Sequence, residues 1–303
     1  MSEQYRRAIV KITVQHIFNN IIEQLTTKCG IAITSFDTSR IYGGDINETY
    51  HLTTNAGDFF VKLNDSVHGD MFEKELNGLQ LLKKASRNLF PEAYLSGYTS
   101  EKIFLVLEFL QKGKIMPASW MDFAEQLAGM HIQTHAGYGL AFDNYIGSLP
   151  QYNAPETTWH EFFAHRRILC LVSMAIDQAI LDDKDGTFAE KLCARLPDIF
   201  PEEKPALLHG DLWAGNFMIT STGQIKIFDP AVYYGHREMD IAMTMLFGGF
   251  DRSFYNHYND FYPLEKNWQQ RVDLCQLYPL LVHSILFGGH YVSAVKSIIR
   301  KYA

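Results

Sequence analysis

The hydrophobic pattern changes character about a third of the way along the chain. Between residues 33 and 63, β-branched and aromatic residues alternate around two turn signals, Gly43-Gly44 and Asn55-Ala56-Gly57, which is typical of antiparallel strands. From Trp120 onward, apolar residues recur every three or four positions, as on the buried face of a helix. The sequence therefore predicts a small sheet followed by a larger, mainly helical part, which is an α+β fold.

Further segments fill in this organisation. Apolar residues at helical spacing from Val10 to Leu25 predict an opening amphipathic helix, and those from Phe72 to Leu82 predict a second helix. The apolar run after Gly97 predicts two more strands. The segment LQKGKIMPAS, residues 110–119, contains Gly and Pro and is the expected linker. We therefore expect an N-terminal domain over residues 1–110 and a C-terminal domain over residues 111–303.

Composition restricts the class of protein and of partner. With 47% apolar and 20% charged residues among 303, the chain can bury a core and is not disordered. A net charge of −7 argues against nucleic acid or an anionic membrane as the partner. Four scattered cysteines without a Cys-x-x-Cys pair are typical of reduced thiols, and no apolar run approaches the ~20 residues of a membrane span. A cytoplasmic protein is expected, and its oligomeric state is left open.

The segment from residue 207 to residue 231 carries the most specific signal. Asp211 and Asn216 are five residues apart, so one loop can present both to the same cavity. Asp229 comes thirteen residues after Asn216, where a hairpin predicted around Ser221-Thr222-Gly223 returns the chain beside Asn216. Phosphoryl transfer needs such a set, namely an acceptor for the proton of the nucleophile and hard oxygen ligands for Mg²⁺.

The first third of the chain offers complementary parts. Gly43-Gly44 before a strand can form a tight hairpin over phosphates, and Lys62 near the end of a strand can reach phosphate oxygens. Glu75 on the next helix is in register to face the sheet and pair with Lys62. Taken singly, each could be a structural glycine pair or a surface charge. Their order together with the His-x-Asp, Asn, Asp set favours a kinase whose side chains converge on a metal-bound nucleotide.

These motifs together resemble those of the fructosamine (ketosamine) kinase family. The segment His209–Asn216, HGDLWAGN, is similar to the catalytic loop of that family, and Phe228–Ala231 with the residues after it is similar to its metal-binding segment. The resemblance extends from about residue 40 to residue 291. It implies the bilobal protein-kinase-like fold that aminoglycoside phosphotransferases share, with a small N-terminal lobe of antiparallel sheet and one helix, and a larger, mainly helical C-terminal lobe.

The resemblance also implies an activity and a set of roles. The activity is ATP- and Mg²⁺-dependent phosphorylation of a ketosamine hydroxyl, the 3-hydroxyl in that family, in deglycation or sugar-amine metabolism. The implied roles are Asp211 as catalytic base, Asn216 and Asp229 as metal ligands, Gly43, Gly44 and Lys62 with its partner Glu75 as phosphate contacts, and Glu108, Phe109 and Leu110 as the adenine-binding backbone. Asp45 departs from the expected pattern, because a carboxylate is unfavourable beside a triphosphate.

Two residues are candidates for holding the acceptor. Trp213 could offer an aromatic face to the sugar, and Glu238 could meet hydroxyls or the ammonium group of a ketosamine. The competing interpretation makes Trp213 a packing residue and Glu238 a structural charge paired with Arg166 or Arg237. Whether the acceptor is a fructosamine or a ribulosamine, and whether it is a free amino-acid adduct or a glycated protein lysine, stays open.

Several rival interpretations lack support or remain as alternatives. His131 and His135 stand four apart on a predicted helix, as zinc ligands can, but no third ligand is evident, and a buried and a surface histidine are the expected roles. The sequences of a P-loop, a dinucleotide-binding loop and a nucleophile elbow are absent. The remaining alternatives are an aminoglycoside- or choline-type hydroxyl kinase and a silent nucleotide-binding module.

Overall fold

The computed structural model describes residues 3–43 and 47–303, which form two compact units. The first unit comprises residues 1–80 and 91–111, and the second comprises residues 81–90 and 112–303. Residues 81–90 therefore group with the second unit, whereas the predicted division at residue 110 assigns them to the first. Among the helices of the described residues, none has the length and apolarity that crossing a bilayer requires.

The first unit is built on a five-stranded antiparallel sheet with the order β1-β2-β3-β5-β4. This sheet confirms the five strands that alternation and turn signals predict in the first third of the chain. Its strands are β1 (Phe36–Ile41), β2 (Glu48–Thr54), β3 (Gly57–Asp65), β4 (Ala93–Tyr98) and β5 (Lys102–Glu108), and its helices are α1 (Glu3–Cys29) and α2 (Met71–Ala85), the end of which belongs to the second unit.

The core of the first unit lies between α1 and one face of the sheet. Ile17, Ile21 and Leu25 recur every four residues along α1 and are buried, as the amphipathic pattern predicts. They pack against side chains that alternate along the central strands, including Val61 and Val106. Lys62 follows Val61 on β3 and therefore points to the opposite face of the sheet, which also carries buried apolar side chains such as Leu105 on β5.

The second unit is mainly helical, in agreement with the three- and four-residue periodicity after Trp120. Its helices are α3 (Ser119–His131), α4 (Trp159–Phe163), α5 (Leu169–Asp177), α6 (Asp183–Ile199), α7 (Glu238–Met243), α8 (Arg252–Phe261), α9 (Val272–Phe287) and α10 (His290–Tyr302). A five-residue π-helical turn, Ala164–Ile168, joins α4 to α5. Aromatic and aliphatic side chains from α4 to α7, α9 and α10 form one continuous core.

Three short antiparallel ladders complete the second unit. Their strands are β6 (Asn144–Ile146) with β7 (Leu149–Gln151), β8 (Ala206–Leu208) with β11 (Tyr233–Gly235), and β9 (Phe217–Ile219) with β10 (Ile225–Ile227). The β9–β10 pair is the hairpin predicted around Gly223, whose φ of +80° places it in the region that favours glycine. The pairing of β8 with β11 brings the start and the end of the segment 207–231 together, which determines where its polar side chains lie.

Candidate active site

The loop that leaves β8 holds Asp211 and Asn216 in direct contact. The side-chain amide of Asn216 donates to the backbone oxygen and to the Oδ2 atom of Asp211, both at 2.9 Å. A short 3-10 turn, Ala214–Asn216, makes this contact possible because it folds the chain back within five residues. Asn216 is buried, so its orientation is fixed by these bonds. The sequence prediction that one loop presents both side chains together is confirmed.

A neutral histidine supports the loop from the inside. His209 is buried, and burial lowers the pKa of its imidazole. Its Nε2 atom lies 3.0 Å from the carbonyl oxygen of Phe228, which can only accept, so Nε2 carries the proton. The Nδ1 atom then accepts the backbone N–H of Asp211 at 3.3 Å. His209 thus connects the loop that carries Asp211 and Asn216 to the end of the β9–β10 hairpin.

The hairpin returns Asp229 to the same place. The backbone N–H of Phe228 donates to the carbonyl of Asn216 at 3.0 Å, so Asp229 follows directly after a residue bonded to Asn216. Asp229 has a φ of +58°, a conformation that is uncommon outside glycine and is frequent at functional sites. Two carboxylates and an amide oxygen in one loop cluster are the hard oxygen donors that Mg²⁺ prefers, so these residues fit a magnesium site.

Burial raises the pKa of the Asp211 carboxyl to about 7. The hydrogen bond from Asn216 opposes this shift, whereas the negative charges of Asp229 and Asp240 add to it. The group is therefore costly to ionise in the protein alone. A cation held by Asp229 would favour the carboxylate form that a proton acceptor requires.

Asp240 on α7 binds the backbone at the start of the loop that carries Asp211. Its Oδ2 atom accepts the backbone N–H of His209 at 2.7 Å, and its Oδ1 atom accepts that of Gly210 at 2.9 Å. The Nε2 atom of His131 lies 3.2 Å from the Oδ2 atom of Asp240. The Nδ1 atom of His131 lies 2.7 Å from the hydroxyl oxygen of Tyr258. Burial holds the pKa of Tyr258 far above its usual range, so this hydroxyl keeps its proton and donates it to His131. His131 is therefore the donor to Asp240.

The zinc alternative finds no support in these positions. His131 is buried, as expected, and α3 ends at this residue, so His135 lies beyond the helix and is exposed. The ring of His135 stacks on Tyr234 instead. Within residues 3–43 and 47–303, no group of three histidine, cysteine, aspartate or glutamate side chains could hold a metal ion.

Gly210 permits the close approach of the two segments that carry the acids. Its φ is +82°, and a Cβ atom there would lie 1.9 Å from the carbonyl oxygen of Ala231. Because both groups are backbone, no side-chain rotation relieves the clash. We expect Gly210→Ala to displace the loop that carries Asp211 and to lower turnover by about 10²-fold, the effect of a misplacement near 1 Å.

Steady-state kinetics of Gly210→Ala beside Gly129→Ala tests this expectation. Gly129 lies within α3, and a Cβ atom there meets nothing within 4 Å, so this variant should keep its activity. Equal turnover of the two variants would contradict the proposed close packing at Gly210.

Trp213 lies over the loop that carries Asp211 and contacts an aromatic cluster. Its ring lies over Gly215, where a Cβ atom would be 2.3 Å from Cη2. Phe247 meets the Trp213 ring edge-on at a centroid distance of 5.8 Å. The ring centroid of His283 lies 4.7 Å from that of Phe247. Phe247 has a φ of +61°, which is strained for a bulky side chain. Trp213 itself is only half-buried, so part of its ring remains accessible.

The contacts of Glu238 favour its structural interpretation over the predicted substrate contact. Its side chain is 3% exposed, and both carboxylate oxygens bind Arg271, at 2.7 Å from Nε and 2.5 Å from Nη2. The structural alternative is therefore the one that the contacts support, but with a different partner from those expected. Arg166 instead pairs with Glu156, and Arg237 with Glu203.

In the first unit, Lys62 and Glu75 form the predicted pair. Lys62 lies on β3 with 3% of its surface exposed, and its Nζ atom is 2.8 and 3.0 Å from the two carboxylate oxygens of Glu75 on α2. A buried ammonium requires such compensation. The pairing is confirmed, whereas a role of Lys62 toward nucleotide stays a prediction.

The other predicted nucleotide contacts are placed less completely. Gly43 has a φ of +126°, which favours glycine, whereas Gly44 and Asp45 lie outside the described residues. Glu108 ends β5, and its N–H donates to the carbonyl of Glu92 at 2.7 Å. The rings of Phe109 and His51 stack with their centroids 3.7 Å apart. Leu110 is the next residue, and both Phe109 and Leu110 lie after the last paired residue of β5. Adenine binding by this segment remains a prediction that would rest on the backbone of Phe109 and Leu110.

Some residues of the site were not predicted from the sequence. Asp240 left a signal that could have been used, because it is an acid within the otherwise apolar run Met239–Met243 of α7. Phe247 and Arg271 left none, because their roles come from strain and from long-range contacts.

Known proteins give a consistent assignment. The model of the family described as fructosamine kinase matches residues 17–303. A protein of Enterococcus faecium assigned as a ketoamine kinase is 38% identical over 86% of this chain and 94% of its own. A protein-ribulosamine 3-kinase of Arabidopsis thaliana, described as chloroplastic, is 36% identical over 86% of this chain and 80% of its own.

Solved structures agree with these sequence matches. A crystal structure from Haemophilus somnus assigned as a fructosamine-3-kinase superposes with a TM-score of 0.83 at 31% identity, covering 93% of this chain and 96% of its own. An aminoglycoside phosphotransferase superposes with a TM-score of 0.57 at 17% identity over 93% of this chain and 99% of its own, which confirms the expected protein-kinase-like fold. The chain therefore belongs to the fructosamine kinase family and is an ATP-dependent kinase with an alcohol group as its acceptor.

Proposed function

We propose that the chain transfers the γ-phosphoryl group of ATP to the 3-hydroxyl of a ketosamine, with Asp211 as the catalytic base. The observation that carries this proposal is the contact of Asn216 with Asp211 in a loop whose backbone Asp240 holds at two points. This arrangement fixes the Oδ2 atom of Asp211 and would leave its Oδ1 atom to contact the acceptor hydroxyl. Free sugar amines and glycated lysines share the acceptor chemistry.

Asp211 does not need to remove the proton of the alcohol in advance. In a loose transition state the nucleophile forms little bonding, so the carboxylate orients the hydroxyl and accepts its proton late. General-base assistance of this kind contributes about 10²- to 10⁴-fold. The neutral His209 keeps the backbone N–H of Asp211 bonded at 3.3 Å, so the base is held at both its main chain and its side chain.

Asn216 and Asp229 are the proposed ligands of Mg²⁺. The Nδ2 atom of Asn216 is engaged by Asp211, which directs the amide oxygen to the opposite side of the group. The negative charge of Asp229 adds to the raised pKa of Asp211, and a metal ion held by Asp229 would offset this effect. When bound, the metal ion would neutralise charge on the phosphates of ATP.

The nucleotide contacts are proposed for the first unit. Lys62, held by Glu75 at 2.8 Å, would bind phosphate oxygens, and the Gly43-Gly44 turn would approach them with backbone N–H groups. The backbone after Glu108, at Phe109 and Leu110, would bind adenine. These roles rest on the buried ion pair and on the similarity to the family.

The acceptor is proposed to lie against Trp213. The accessible part of this ring, two residues after the base, can stack on a sugar or a secondary ammonium group, and Phe247 supports it from the side. Glu238 is not included in the proposed acceptor site, because both of its carboxylate oxygens accept hydrogen bonds from Arg271. A ketosamine combines the sugar and the cation that such a surface recognises.

Replacing Trp213 tests this acceptor contact. We expect Trp213→Ala to raise the KM for the ketosamine by about tenfold, the equivalent of ~1.4 kcal/mol, with little change in the KM for ATP. Trp213→Phe keeps an aromatic face and should retain most of the affinity. A packing role predicts a different result for Trp213→Ala. Most of the protein would then be unfolded, and the fraction that folds would bind the ketosamine with an unchanged KM.

The substrate class itself is tested by an ATP-consumption screen. The acceptors are a fructosyl-amine, a ribulosyl-amine, the two free sugars and an aminoglycoside, each with and without Mg²⁺. We expect consumption with one or both sugar amines and none with the free sugars. Preference for the aminoglycoside would identify a different hydroxyl kinase, and ATP binding without turnover on any acceptor would identify a silent nucleotide-binding module.

A cytoplasmic location belongs to this proposal as well. All four cysteines, Cys29, Cys170, Cys193 and Cys275, are unpaired, which suits a reducing compartment. The net charge of −7 suits a small-molecule or protein-bound sugar amine better than a nucleic acid. Fractionation of the native cells, with a cytosolic marker enzyme as reference, tests the location.

A further inference from the structure

Arg167 is a buried cation without a carboxylate partner. Its side chain is fully buried, and within residues 3–43 and 47–303 no aspartate or glutamate lies within ion-pair distance of it. Its guanidinium donates from Nη1 to the carbonyls of Tyr152 and Arg166, at 2.6 and 2.9 Å, and from Nη2 to Oδ1 of Asn153 at 2.7 Å. Such a charge is costly to bury, so a purely structural position would more easily hold an apolar residue.

A local irregularity of the backbone places this residue. Arg167 lies in the π-helical turn Ala164–Ile168 that interrupts the helical run from α4 to α5. A π turn adds one residue to the turn and changes the direction of the side chains that follow, and such turns occur frequently at functional sites. Here Arg167 points into the core, whereas its neighbour Arg166 is partly exposed and pairs with Glu156.

Three aromatic rings surround the guanidinium. Its central carbon lies 4.1 Å from the ring centroid of Tyr233, 4.6 Å from that of Phe162 and 5.2 Å from that of Tyr278. Ring faces attract a cation, and the attraction is strongest where water is excluded. The rings thus take the place that a carboxylate would have, and they leave Nη2 to orient Asn153.

From Asn153, a chain of buried amides leads to the segment after Asp229. Asn153 and Gln151 both donate to Oδ1 of Asn144 at 2.8 Å. Gln151 also donates to the carbonyl of Ala231 at 3.0 Å, and Asn144 donates to the carbonyl of Val232 at 2.9 Å. The hydroxyl of Tyr278, one of the three rings, donates to Oε1 of Gln151 at 2.7 Å, which fixes the orientation of that amide.

The two carbonyls at the end of this chain belong to the site. Ala231 is two residues after Asp229, and its N–H donates to the carbonyl of His209 at 2.9 Å. The carbonyl of Ala231 is also the atom on which Gly210 packs. The amide chain therefore bonds to a short segment that directly follows Asp229, whose φ is +58°, and Pro230, and that touches the loop carrying Asp211.

We propose that Arg167 is a positioning residue for the metal ligand Asp229, acting through Asn153, Gln151 and Asn144 on the carbonyls of Ala231 and Val232. The inference rests on the proposed role of Asp229 in the function above. Loss of the cation or of the amide chain releases the Ala231–Val232 segment, so the carboxylate of Asp229 is no longer held in the geometry that binds the ion. Outer contacts that orient metal ligands typically contribute about 10- to 100-fold in affinity.

The test measures Mn²⁺ binding in the presence of a non-hydrolysable ATP analogue, by electron paramagnetic resonance. We expect Arg167→Met and Gln151→Met to weaken Mn²⁺ binding by about 10- to 100-fold. Arg167→Lys should restore only part of the affinity, because one ammonium cannot reproduce the forked contacts to carbonyl and amide oxygens. Arg166→Met, which removes the adjacent and partly exposed arginine, is the matched control and should bind Mn²⁺ like the wild type.

Gln151→Met keeps the test decisive if Arg167→Met does not fold, because it removes the bonds of Gln151 to Ala231, Asn144 and Tyr278 and leaves Arg167 bonded to Asn153. Wild-type Mn²⁺ affinity in folded Gln151→Met and Arg167→Lys would overturn the inference. Failure of the wild type itself to bind Mn²⁺ with nucleotide would refute the proposed function instead. Binding by the wild type without phosphorylation of any ketosamine would refute only the proposed acceptor.

Discussion

Replacement of Asp211 by asparagine is expected to lower the turnover number by about 10²- to 10⁴-fold, while the binding of ATP stays nearly unchanged. The amide has the same shape and can keep the bond from Asn216, but it cannot accept the proton of the acceptor hydroxyl. Turnover is measured by coupled ATP consumption at saturating ketosamine, and nucleotide binding by calorimetry. Asp198→Asn, at an exposed position on α6, is the matched control.

The same substitution should stabilise the metal-free protein at alkaline pH. Burial raises the pKa of Asp211 to about 7 in the folded state, above its ordinary value of 3.8, so the folded chain binds more protons than the unfolded chain between these values. The corresponding stability is fully present below pH 3.8 and is lost as the pH rises through 7. Asparagine does not ionise, so Asp211→Asn should melt above the wild type at pH 8 in chelator, with the difference vanishing near pH 4.

These two readouts together separate a catalytic role from a structural one. A variant that has lost activity because it misfolds melts at a lower temperature than the wild type. Unchanged turnover in Asp211→Asn would remove the residue from the mechanism, whatever happens to its melting temperature.

Breaking the buried pair of Glu238 and Arg271 should have the largest effect on stability. Glu238→Ala leaves the guanidinium of Arg271, 8% exposed, without its carboxylate, and removal of one partner of a buried pair costs about 3–5 kcal/mol. We expect this loss in the free energy of unfolding measured with urea. Glu156→Ala breaks the partly exposed pair with Arg166 and should cost no more than about 1 kcal/mol.

The Glu238 variant also checks the corrected role of this residue. If Glu238 contacted the acceptor, Glu238→Ala would raise the KM for the ketosamine and leave unfolding nearly unchanged. An unfolding free energy within about 1 kcal/mol of the wild type would contradict the structural assignment.

Local spacing explains which parts of the fold and site could be predicted. The alternation from residue 33 to residue 63 and the two turn signals predicted strands β1 to β3, because each of these strands spans six to nine residues. The sequence could predict that Asp211 and Asn216 lie together, because a separation of five residues within one loop restricts the positions of their side chains. The β9–β10 hairpin then placed Asp229 through a turn whose Gly223 is visible in the sequence.

Other features depend on contacts that no local pattern encodes. Strands β6, β7, β8 and β11 have three residues each, which is too short for alternation to appear. Asp240 binds a backbone about thirty positions earlier, and Glu238 pairs with Arg271 thirty-three positions later. The structural interpretation of Glu238 therefore named the wrong partner, because Arg271 lies far along the sequence. Arg167 depends on a π turn that helical periodicity does not reveal.

The most direct test of the central claim locates the transferred phosphate. Fructosyl-lysine is incubated with the chain, ATP and Mg²⁺, and the product is analysed by phosphorus and proton magnetic resonance. The account predicts one equivalent of ADP for each ketosamine phosphorylated on the 3-hydroxyl, and almost no product with Asp211→Asn. ADP release without a phosphorylated ketosamine, or equal product from Asp211→Asn and the wild type, would contradict it.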